Sequence, residues 1–336
     1  MNIGGNRMRA WKVQRHGEPG EVIALGEVDV PDPNSDEVRI RVEAAALGLP
    51  DVFMCRGTYP FKPELPFTPG QEVSGVVTAA GANATTPVGA RVMALTSFYR
   101  GFGGFAEEAL APDRSTFAAP EDMDPVEAAC FVIPYHTASL GIETRGALRP
   151  GETLLVLGGA GGTGTAAIQL GRAIGARVIA VAGGKEKAEV CRRCGADVVI
   201  DHTEADVVAA VKEATGRRGA DVIYDPVGGE AFDSALRCIA NEGRLLAIGY
   251  ASGAWHDAST ETLVRKNVSV VGVFVGAYDK PFLERVHDRL LARWREGAIH
   301  GQVECEITLE EVSTALERLG QRRAFGKTVV RVRGNT

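Results

Sequence analysis

The second half of the chain alternates short apolar runs with helical segments, and this alternation restricts the fold more than any other feature. Six apolar runs recur between Thr153 and Val275: TLLVLG, ARVIAVA, DVVI, DVIYDPV, RLLAIGY and VSVVGVFV. Apolar strands separated by helices are typical of a parallel sheet wound by βαβ units, because each crossover helix covers a face of the sheet. The pattern therefore predicts a doubly wound α/β domain.

A glycine-rich loop, GGAGGTG, follows the first of these strands and precedes the helical run TAAIQLGRAIG. Within it Gly159, Gly161 and Gly164 satisfy the spacing G-x-G-x-x-G. We expect a tight turn at Gly159, close backbone approach to a pyrophosphate at Gly161 and close helix-to-strand packing at Gly164. Because the first N–H groups of a helix attract anions, the loop predicts a dinucleotide site.

The end of the second strand distinguishes between the two nicotinamide dinucleotides. NAD-dependent enzymes place an acidic residue there to bind the ribose 2′-hydroxyl, but this chain has Gly183 and Gly184. The missing carboxylate leaves room for a 2′-phosphate, and basic residues follow that could pair with it: Lys185, Lys187, Arg192 and Arg193. We therefore expect NADPH, with Lys187 contacting the 2′-phosphate.

The first part of the chain, from Met8 to about Pro125, has a different pattern of apolar residues, Pro and Gly. Short alternating strands such as EVRIRVEAAAL and GQEVSGVV are separated by Pro and Gly, which predicts a β-rich domain. After Tyr278 we expect a helix (PFLERVHDRLLARWREG), a second helix opened by the capping run TLEE, and a closing strand, KTVVRVR. This tail is too short to fold alone, so it should pack on the first domain.

Composition excludes several other classes of function. The net charge is -6 and no block of Lys or Arg occurs, so nucleic acid is an unsuitable partner and a small molecule is expected. The most apolar stretch, 154–182, contains glycines, arginines and Gln169, which excludes a membrane span. The first residues, MNIGGNR, lack the apolar core of a signal peptide, and six scattered cysteines form no disulfide framework. We therefore expect a cytoplasmic protein.

Several further motifs, taken in order, carry a resemblance to a known family: RGTYPFKPELPFTPGQEVSGVV, VGARVMAL, GGFAEEALAP, YHTA, LGGAGGTG, CGADVVID and DPVGG. The chain resembles the zinc-independent quinone oxidoreductases of the medium-chain dehydrogenase/reductase superfamily over almost its whole length. The resemblance implies an α/β protein in which a GroES-like β-rich catalytic domain, residues 1–130 and 278–336, accompanies a Rossmann NADPH-binding domain, residues 131–277.

The resemblance also implies roles for individual residues. Cofactor contacts would come from the glycine loop and from other segments: Thr137, Gly159, Gly161, Gly162, Thr163, Gly164, Gly183, Lys187, His202, Gly249, Tyr250, Phe274, Val275, Arg322 and Lys327. The substrate pocket would include Gly48, Asp51, Phe53, Tyr59 and Phe98. Tyr59, Tyr135 and Thr137 are the candidate catalytic residues, with either tyrosine as proton donor. Asp51 is expected to cap or brace a helix rather than to exchange protons.

The zinc-binding relatives have Cys or His where this chain has Gly48, Gln71 and Ile133, and none of these three is a zinc ligand. We therefore expect no zinc. Without a Lewis acid to stabilise an alkoxide, acceptors that take hydride easily are favoured. Zinc-free relatives commonly carry an Asn where Gly48 stands, so this chain departs from them at that position.

The expected reaction is direct hydride transfer from NADPH to a quinone or a related conjugated carbonyl in an apolar cleft. Two alternatives stay open, a 2-enoyl reductase acting on an enone or enoyl thioester, and a non-catalytic NADPH-binding protein such as a crystallin or adaptor. The strand VSVVGVFV is apolar on both faces and last in the sheet, so it would expose an apolar edge with unpaired backbone N–H and C=O groups. We therefore expect residues 268–275 to pair with the same strand of a second copy, which would form a homodimer.

Overall fold

The computed structural model describes residues 7–332. It divides into a first unit, whose described residues are 7–133 and 301–332, and a second unit, Pro134–His300. The strands, numbered in chain order, are β1 Arg7–Val13, β2 Ile23–Asp29, β3 Glu37–Ala46, β4 Glu72–Ala80, β5 Arg91–Leu95, β6 Glu108–Pro112, β7 Thr116–Ala118, β8 Thr153–Val156, β9 Arg177–Ala182, β10 Val198–Asp201, β11 Ala220–Asp225, β12 Ile239–Ala247, β13 Ser269–Gly272, β14 Val303–Thr308 and β15 Lys327–Arg331.

The α-helices are α1 Pro19–Val22, α2 Leu49–Arg56, α3 Pro125–Ala128, α4 Thr137–Ser139, α5 Gly162–Ile174, α6 Lys185–Arg193, α7 Val207–Ala214, α8 Glu230–Cys238, α9 Thr260–Lys266, α10 Lys280–Arg295 and α11 Val312–Gly320. Short 3₁₀ turns occur at Phe98–Arg100, Asp113–Ser115, Val275–Ala277 and Leu309–Glu311. Two π-helical segments, Val132–His136 and Leu140–Arg145, flank α4.

The second unit is built on a six-stranded parallel sheet with the order β10-β9-β8-β11-β12-β13. Counted within the unit, this order is 3-2-1-4-5-6, which is the doubly wound arrangement that binds dinucleotides. The interior side chains of the central strands, such as Leu155, Ile223 and Leu245, are fully buried. The predicted parallel α/β domain and its six strands are therefore confirmed.

The first unit is dominated by antiparallel strands. Its larger sheet has the order β14-β15-β3-β4-β5-β7, with β6 also pairing with β3, and β1 and β2 form a separate pair. The closing strand β15 lies antiparallel to β3, with Val329 opposite Ala46. Thr308 and Glu311 form the predicted capping box ahead of α11. The β-rich first domain and the return of the C-terminal strand to it are both confirmed.

The chain returns to the first unit later than the boundary expected at residue 278. Helix α10 belongs to the second unit, where His287 Nδ1 lies 3.0 Å from His136 Nε2. Arg293 of the same helix pairs with Glu143 at 2.7 Å. Because these partners lie 150 and 151 residues before α10's own residues in the chain, the amphipathic pattern of α10 alone could not reveal which unit the helix packs against.

The prediction for the segment MNIGGNR falls mainly outside the described residues, since the first described residue, Arg7, already begins β1. Within residues 7–332, no helix combines the length and the apolar character needed to cross a membrane.

Candidate active site

The glycine loop of the second unit leaves the carboxyl end of β8. The tight turn falls at Gly158, which has φ +58°, and not at Gly159 as the sequence suggested. Gly159 is required for a different reason, because an added Cβ would lie 3.0 Å from both Ala180 Cβ and Cys191 Sγ. The loop therefore needs Gly158 for backbone conformation and Gly159 for packing on β9 and α6.

Gly161 and Gly164, the other two glycines of the G-x-G-x-x-G spacing, have separate roles. Gly161 is the N-cap of α5, and an added Cβ there would meet only Gly158 O, at 3.4 Å. At Gly164 an added Cβ would lie 2.3 Å from Gly158 O, so the helix and the turn pack too closely for a side chain, as predicted. The first turn of α5 leaves N–H groups without intrahelical acceptors beside an open face at Gly161. This cradle fits a diphosphate.

A buried tyrosine lies beneath the loop. Tyr224 of β11 is fully buried, and burial raises the pKa of its hydroxyl, although an interaction with Thr163 acts in the opposite direction. Gly141 makes room for this ring, since an added Cβ would lie 3.2 Å from Tyr224 Cε2. The Tyr224 ring therefore lies close to Thr163 of α5, at the start of the helix that follows the loop.

Thr137 lies in α4, between the two π-helical segments, and is half-buried. Helix α4 packs on α5, which follows the glycine loop. Segments of π-helix are rare and are frequent at functional sites, because they redirect side chains from the regular helical positions. The structure thus places Thr137 on an irregular helix beside the candidate cofactor site.

The structure does not support Tyr135 as a proton donor. Its ring is 2% exposed, and its hydroxyl donates a hydrogen bond to the carbonyl of His300. Gln169 Nε2 donates to the same hydroxyl at 3.0 Å, and Gln169 Oε1 accepts from His300 N at 2.7 Å. The Tyr135 proton is bound by a backbone carbonyl, and its ring is shielded from solvent. Tyr135 therefore links the π-helical segment Val132–His136 to Gln169 of α5 and to His300, the last residue of the second unit.

The end of β9 carries the glycines and the lysine that the sequence assigned to a 2′-phosphate. Gly184 has φ +87° and caps α6, so that Lys187 lies in the first turn of this helix. The side chain of His202 occupies the adjacent space, because a Cβ added to Gly183 would lie 2.7 Å from His202 Nε2. The predicted neighbours Gly183 and His202 are therefore brought together by β9 and β10.

Asp201 holds this turn and was missed by the sequence reasoning. Both of its carboxylate oxygens accept from Gly184 N at 3.0 Å, and Oδ1 also accepts from Thr203 N. These N–H bonds and the Thr203 hydroxyl lower the pKa of Asp201 to about 2. The run Asp-His-Thr directly after a strand was the available signal, since Asp favours such side-chain-to-backbone turns.

The other predicted cofactor residues follow β12 and β13 at the same carboxyl edge of the sheet. Gly249 N donates to Asp225 O at 3.3 Å, which places the loop after β12 on the DPVGG turn. The rings of Tyr250 and Trp255 pack against each other in a tilted arrangement, with centroids 4.5 Å apart. Phe274 and Val275 follow the end of β13, and Phe274 is 58% exposed. Parallel sheets bind ligands at this edge.

In the first unit, Asp51 braces the start of α2, as predicted. It is fully buried, and its carboxylate accepts from Gly48 N at 2.8 Å and from Gly70 N at 2.9 Å. Burial raises the pKa of Asp51 to about 6 in spite of these N–H bonds. With both oxygens engaged by backbone groups, Asp51 fixes the segments that carry other site residues.

Tyr59, Phe98 and Gln71 come together in the first unit. Burial raises the pKa of the Tyr59 hydroxyl, and the nearby Gln71 side chain acts to lower it. The rings of Tyr59 and Phe98 lie 6.2 Å apart, and Phe53 of α2 is 9% exposed. The predicted association of Tyr59 with Phe98 is therefore present, and Gln71 joins it.

Lys327 has a different partner from the predicted cofactor phosphate. Its Nζ lies 3.3 Å from Glu72 Oε2, and both side chains are buried. Burial raises the pKa of Glu72, whereas the Lys327 ammonium acts to lower it. Glu72 Oε1 also accepts from Ile133 N at 2.8 Å. Lys327 therefore neutralises a buried carboxylate. Arg322 lies at the exposed C-terminal end of α11 with φ +59°.

Metal binding requires several His, Cys, Asp or Glu side chains close together. Among residues 7–332, no group of three or more His, Cys, Asp or Glu side chains is arranged to hold a metal ion. Cys191 and Cys194, the one C-x-x-C pair, lie at the C-terminal end of α6, and both are buried free thiols.

Comparison with known proteins adds to this geometry. Residues 34–121 match the alcohol dehydrogenase GroES-like domain family, and residues 162–291 match the zinc-binding dehydrogenase family. The chain is 33% identical to the quinone oxidoreductase-like protein 2 homolog of Nematostella vectensis over 97% of this chain and 90% of that protein.

Two solved structures that resemble the chain contain NADPH. One is a mycobacterial protein complexed with NADPH, with a TM-score of 0.87, 30% identity and coverage of 97% of this chain and 100% of that chain. The other is the Escherichia coli quinone oxidoreductase complexed with NADPH, with a TM-score of 0.89, 25% identity and coverage of 96% and 100%.

Proposed function

Because this chain belongs to the quinone oxidoreductase family of the medium-chain dehydrogenase/reductase superfamily, we propose that it transfers hydride from NADPH to a quinone or a related conjugated carbonyl. The observation that carries this proposal is the carboxyl edge of the second unit's sheet. There the open turn at Gly161 and the start of α5 can accept a diphosphate, and Gly183 with Lys187 can accept a 2′-phosphate.

The bound nicotinamide would supply the hydride that reduces the acceptor. The chain's own contribution is to bind, orient and protonate. The N–H groups at the start of α5 would hold the diphosphate, and the Lys187 ammonium would pair with the 2′-phosphate. Thr137 would contact the nicotinamide end. Zinc has no part in this proposal, since Gly48, Gln71 and Ile133 stand at the positions where relatives carry zinc ligands.

We propose Tyr59 as the residue that delivers the proton. Burial raises the pKa of its hydroxyl above the ordinary 10, so Tyr59 is protonated at neutral pH, donates a hydrogen bond to the acceptor oxygen, and gives up its proton only when that oxygen becomes a strongly basic enolate. Phe53 and Phe98 supply apolar surface near it, which favours a planar apolar acceptor over a charged one.

The test is a set of acceptors assayed for NADPH oxidation, with identification of the products. We expect oxidation with 1,4-naphthoquinone, cyclohex-2-en-1-one or crotonyl-CoA, and a lower kcat/KM with NADH than with NADPH. A hydroquinone product indicates quinone reduction, and a saturated ketone or thioester indicates a 2-enoyl reductase. Absence of oxidation with every acceptor, together with tight NADPH binding, would identify a non-catalytic binding protein and contradict the proposal.

We also propose that the chain forms a homodimer through β13. This strand is the last of the parallel sheet, and its Val270 and Val271 are only half-buried. A second copy paired along this edge would cover its apolar side chains and its open backbone groups. Sedimentation at micromolar concentration should give the mass of two chains, and a monomer alone would contradict this part of the proposal.

A further inference from the structure

Gln71 carries a buried amide nitrogen that has no hydrogen-bond acceptor among residues 7–332. The residue is 6% exposed, and no atom of residues 7–332 completes a hydrogen bond with Gln71 Nε2. Nearly all buried donors in folded proteins are paired, because an unpaired one loses its bonds to water without replacement. An orphaned donor of this kind in a candidate active site indicates a partner that comes from outside the protein.

The backbone at Gln71 is held in place on both sides. Asp51 accepts hydrogen bonds from the N–H groups of Gly70 and Gln71. Thr96 N donates to Gln71 O at 2.8 Å, and Thr96 Oγ1 donates to Gly70 O at 2.8 Å. Gly70, with φ +105°, leaves no space for another residue, because an added Cβ would lie 2.6 Å from Phe105 N. The backbone that carries the amide is therefore fixed, which limits where the buried side chain can lie, as preorganisation of a charge-stabilising group requires.

Gln71 lies beside Tyr59, which comes from a separate segment of the chain. The side chain of Gln71 lies close enough to the Tyr59 hydroxyl to lower its pKa, yet Gln71 Nε2 completes no hydrogen bond with any atom of residues 7–332. The ring of Tyr59 lies 6.2 Å from the ring of Phe98. Two hydrogen-bond donors of different acidity, one amide and one phenol, are thus adjacent to aromatic surface. This combination suits the oxygen of a conjugated carbonyl.

We propose that Gln71 Nε2 donates a hydrogen bond to the acceptor's carbonyl oxygen and stabilises the negative charge that forms there. This inference rests on the proposed function. In the step, the C4–H bond of NADPH would break as its hydride forms a C–H bond with a conjugated carbon of the acceptor, NADPH would become NADP⁺, and a π-electron pair would move onto the acceptor's oxygen. A quinone acceptor would then tautomerise to the hydroquinone once its oxygen is protonated. The Tyr59 hydroxyl then supplies the proton, and water restores it. Gln71 is chemically unchanged and acts as a catalytic residue only through its hydrogen bond.

The first experiment compares the kinetics of wild type and Gln71→Leu with NADPH and 1,4-naphthoquinone. Leucine has a similar size and no donor. We expect kcat to fall about 10- to 100-fold, since removal of one such donor has effects of this order or larger. The Kd of NADPH, measured by calorimetry, should not change. An unchanged kcat would overturn the inference.

The second experiment needs no turnover. The carbonyl stretch of ¹³C-labelled 1,4-naphthoquinone is measured by difference infrared spectroscopy, free and bound to the protein. A donated hydrogen bond weakens the C=O bond, so the stretch should move to lower frequency in wild type and return toward the free value in Gln71→Leu. Equal shifts in both proteins, or no binding of the quinone to wild type, would overturn the inference.

The third experiment uses Gln169 as a matched control. Gln169 is also a buried amide, but it has partners in Tyr135 and His300. Gln71→Leu removes an unpaired donor and should raise Tm by about 2–4 °C, whereas Gln169→Leu should lower it. A fall in Tm for both variants would show that the Gln71 amide has a structural role and overturn the inference.

The outcomes separate this inference from the proposed function. If wild type oxidises no NADPH with any acceptor, the proposed function fails, and the infrared and stability measurements still decide whether Gln71 binds a carbonyl. If wild type is active and Gln71→Leu is equally active, the proposed function stands and the inference fails.

Discussion

Replacing Gly161 with alanine should separate cofactor binding from folding, because the structure gives this glycine no steric reason of its own. An alanine Cβ at 161 would have Gly158 O as its neighbour at 3.4 Å, an ordinary contact, and the backbone φ of -79° suits alanine. Gly164 is the matched comparison in the same loop. There the Cβ would lie 2.3 Å from Gly158 O and 2.9 Å from Gly159 Cα.

The expected magnitudes follow from these distances. At 164 the turn must move by about 1 Å to restore a normal contact, and overpacking of this kind costs about 1–3 kcal/mol, or about 3–10 °C in Tm. At 161 a small loss from replacing an N-cap glycine is offset by the lower entropy of the unfolded chain. Gly161→Ala should therefore fold with a Tm within about 2 °C of wild type. Its methyl group would nevertheless displace the diphosphate.

Calorimetry with NADPH and thermal unfolding test both variants. We expect Gly161→Ala to bind NADPH about 10- to 100-fold more weakly, the loss of one or two charge-assisted hydrogen bonds, and Gly164→Ala to lose both stability and binding. Gly26→Ala, at a position with no atom within 4 Å of the added Cβ, should change neither. Wild-type affinity in Gly161→Ala would refute the placement of the diphosphate, and a wild-type Tm in Gly164→Ala would refute the steric argument.

Three further outcomes are expected. Lys187→Ala should raise the Kd of NADPH about 10-fold or more and leave that of NADH unchanged, and equal effects on both would contradict a 2′-phosphate contact. Tyr59→Phe should lower kcat with cyclohex-2-en-1-one without weakening NADPH binding, and full activity would remove Tyr59 as proton donor. Burial and the neighbouring His287 hold the pKa of His136 well below its usual 6.5, so only the unfolded chain takes up this proton as the pH falls below about 6.5. Asp51, with its pKa raised to about 6, acts in the opposite direction because its contribution is lost as pH rises through that value. Urea unfolding should therefore compare wild type with His136→Gln, and wild type should lose up to about 1.4 kcal/mol per pH unit relative to the variant. A constant difference between pH 7.5 and 5 would contradict a buried neutral His136.

The parts of the second unit that could be predicted are those that depend on local pattern. Six apolar runs of strand length, separated by helices, predicted all six strands of the sheet. Because crossovers between parallel strands are right-handed, few spatial orders of these strands remain possible. The spacing of Gly159, Gly161 and Gly164 identified the loop because the constraint on each glycine is local. Even here the turn itself falls one residue earlier, at Gly158, since several glycines in succession do not reveal which one has positive φ.

Side-chain partners that are distant in the chain could not be predicted. Tyr135 looked like a proton donor beside Thr137, yet its hydroxyl reaches the carbonyl of His300. Lys327 looked like a phosphate ligand, yet it neutralises the buried Glu72. Each assignment depends on which atoms come within about 3–4 Å, and residues separated by hundreds of positions carry no local signal of that distance.

The amino-acid sequence by itself determined the parallel sheet, the β-rich first domain, the closing C-terminal strand and the glycine loop, because hydrophobic period and glycine spacing act over a few residues. Only the tertiary structure decided that α10 belongs to the second unit, that Asp201 fixes the turn at Gly184, and that Gln71 lies beside Tyr59 with an unpaired amide nitrogen among residues 7–332. The physical reason is that burial and hydrogen bonding depend on positions in space, which the packing of whole elements sets.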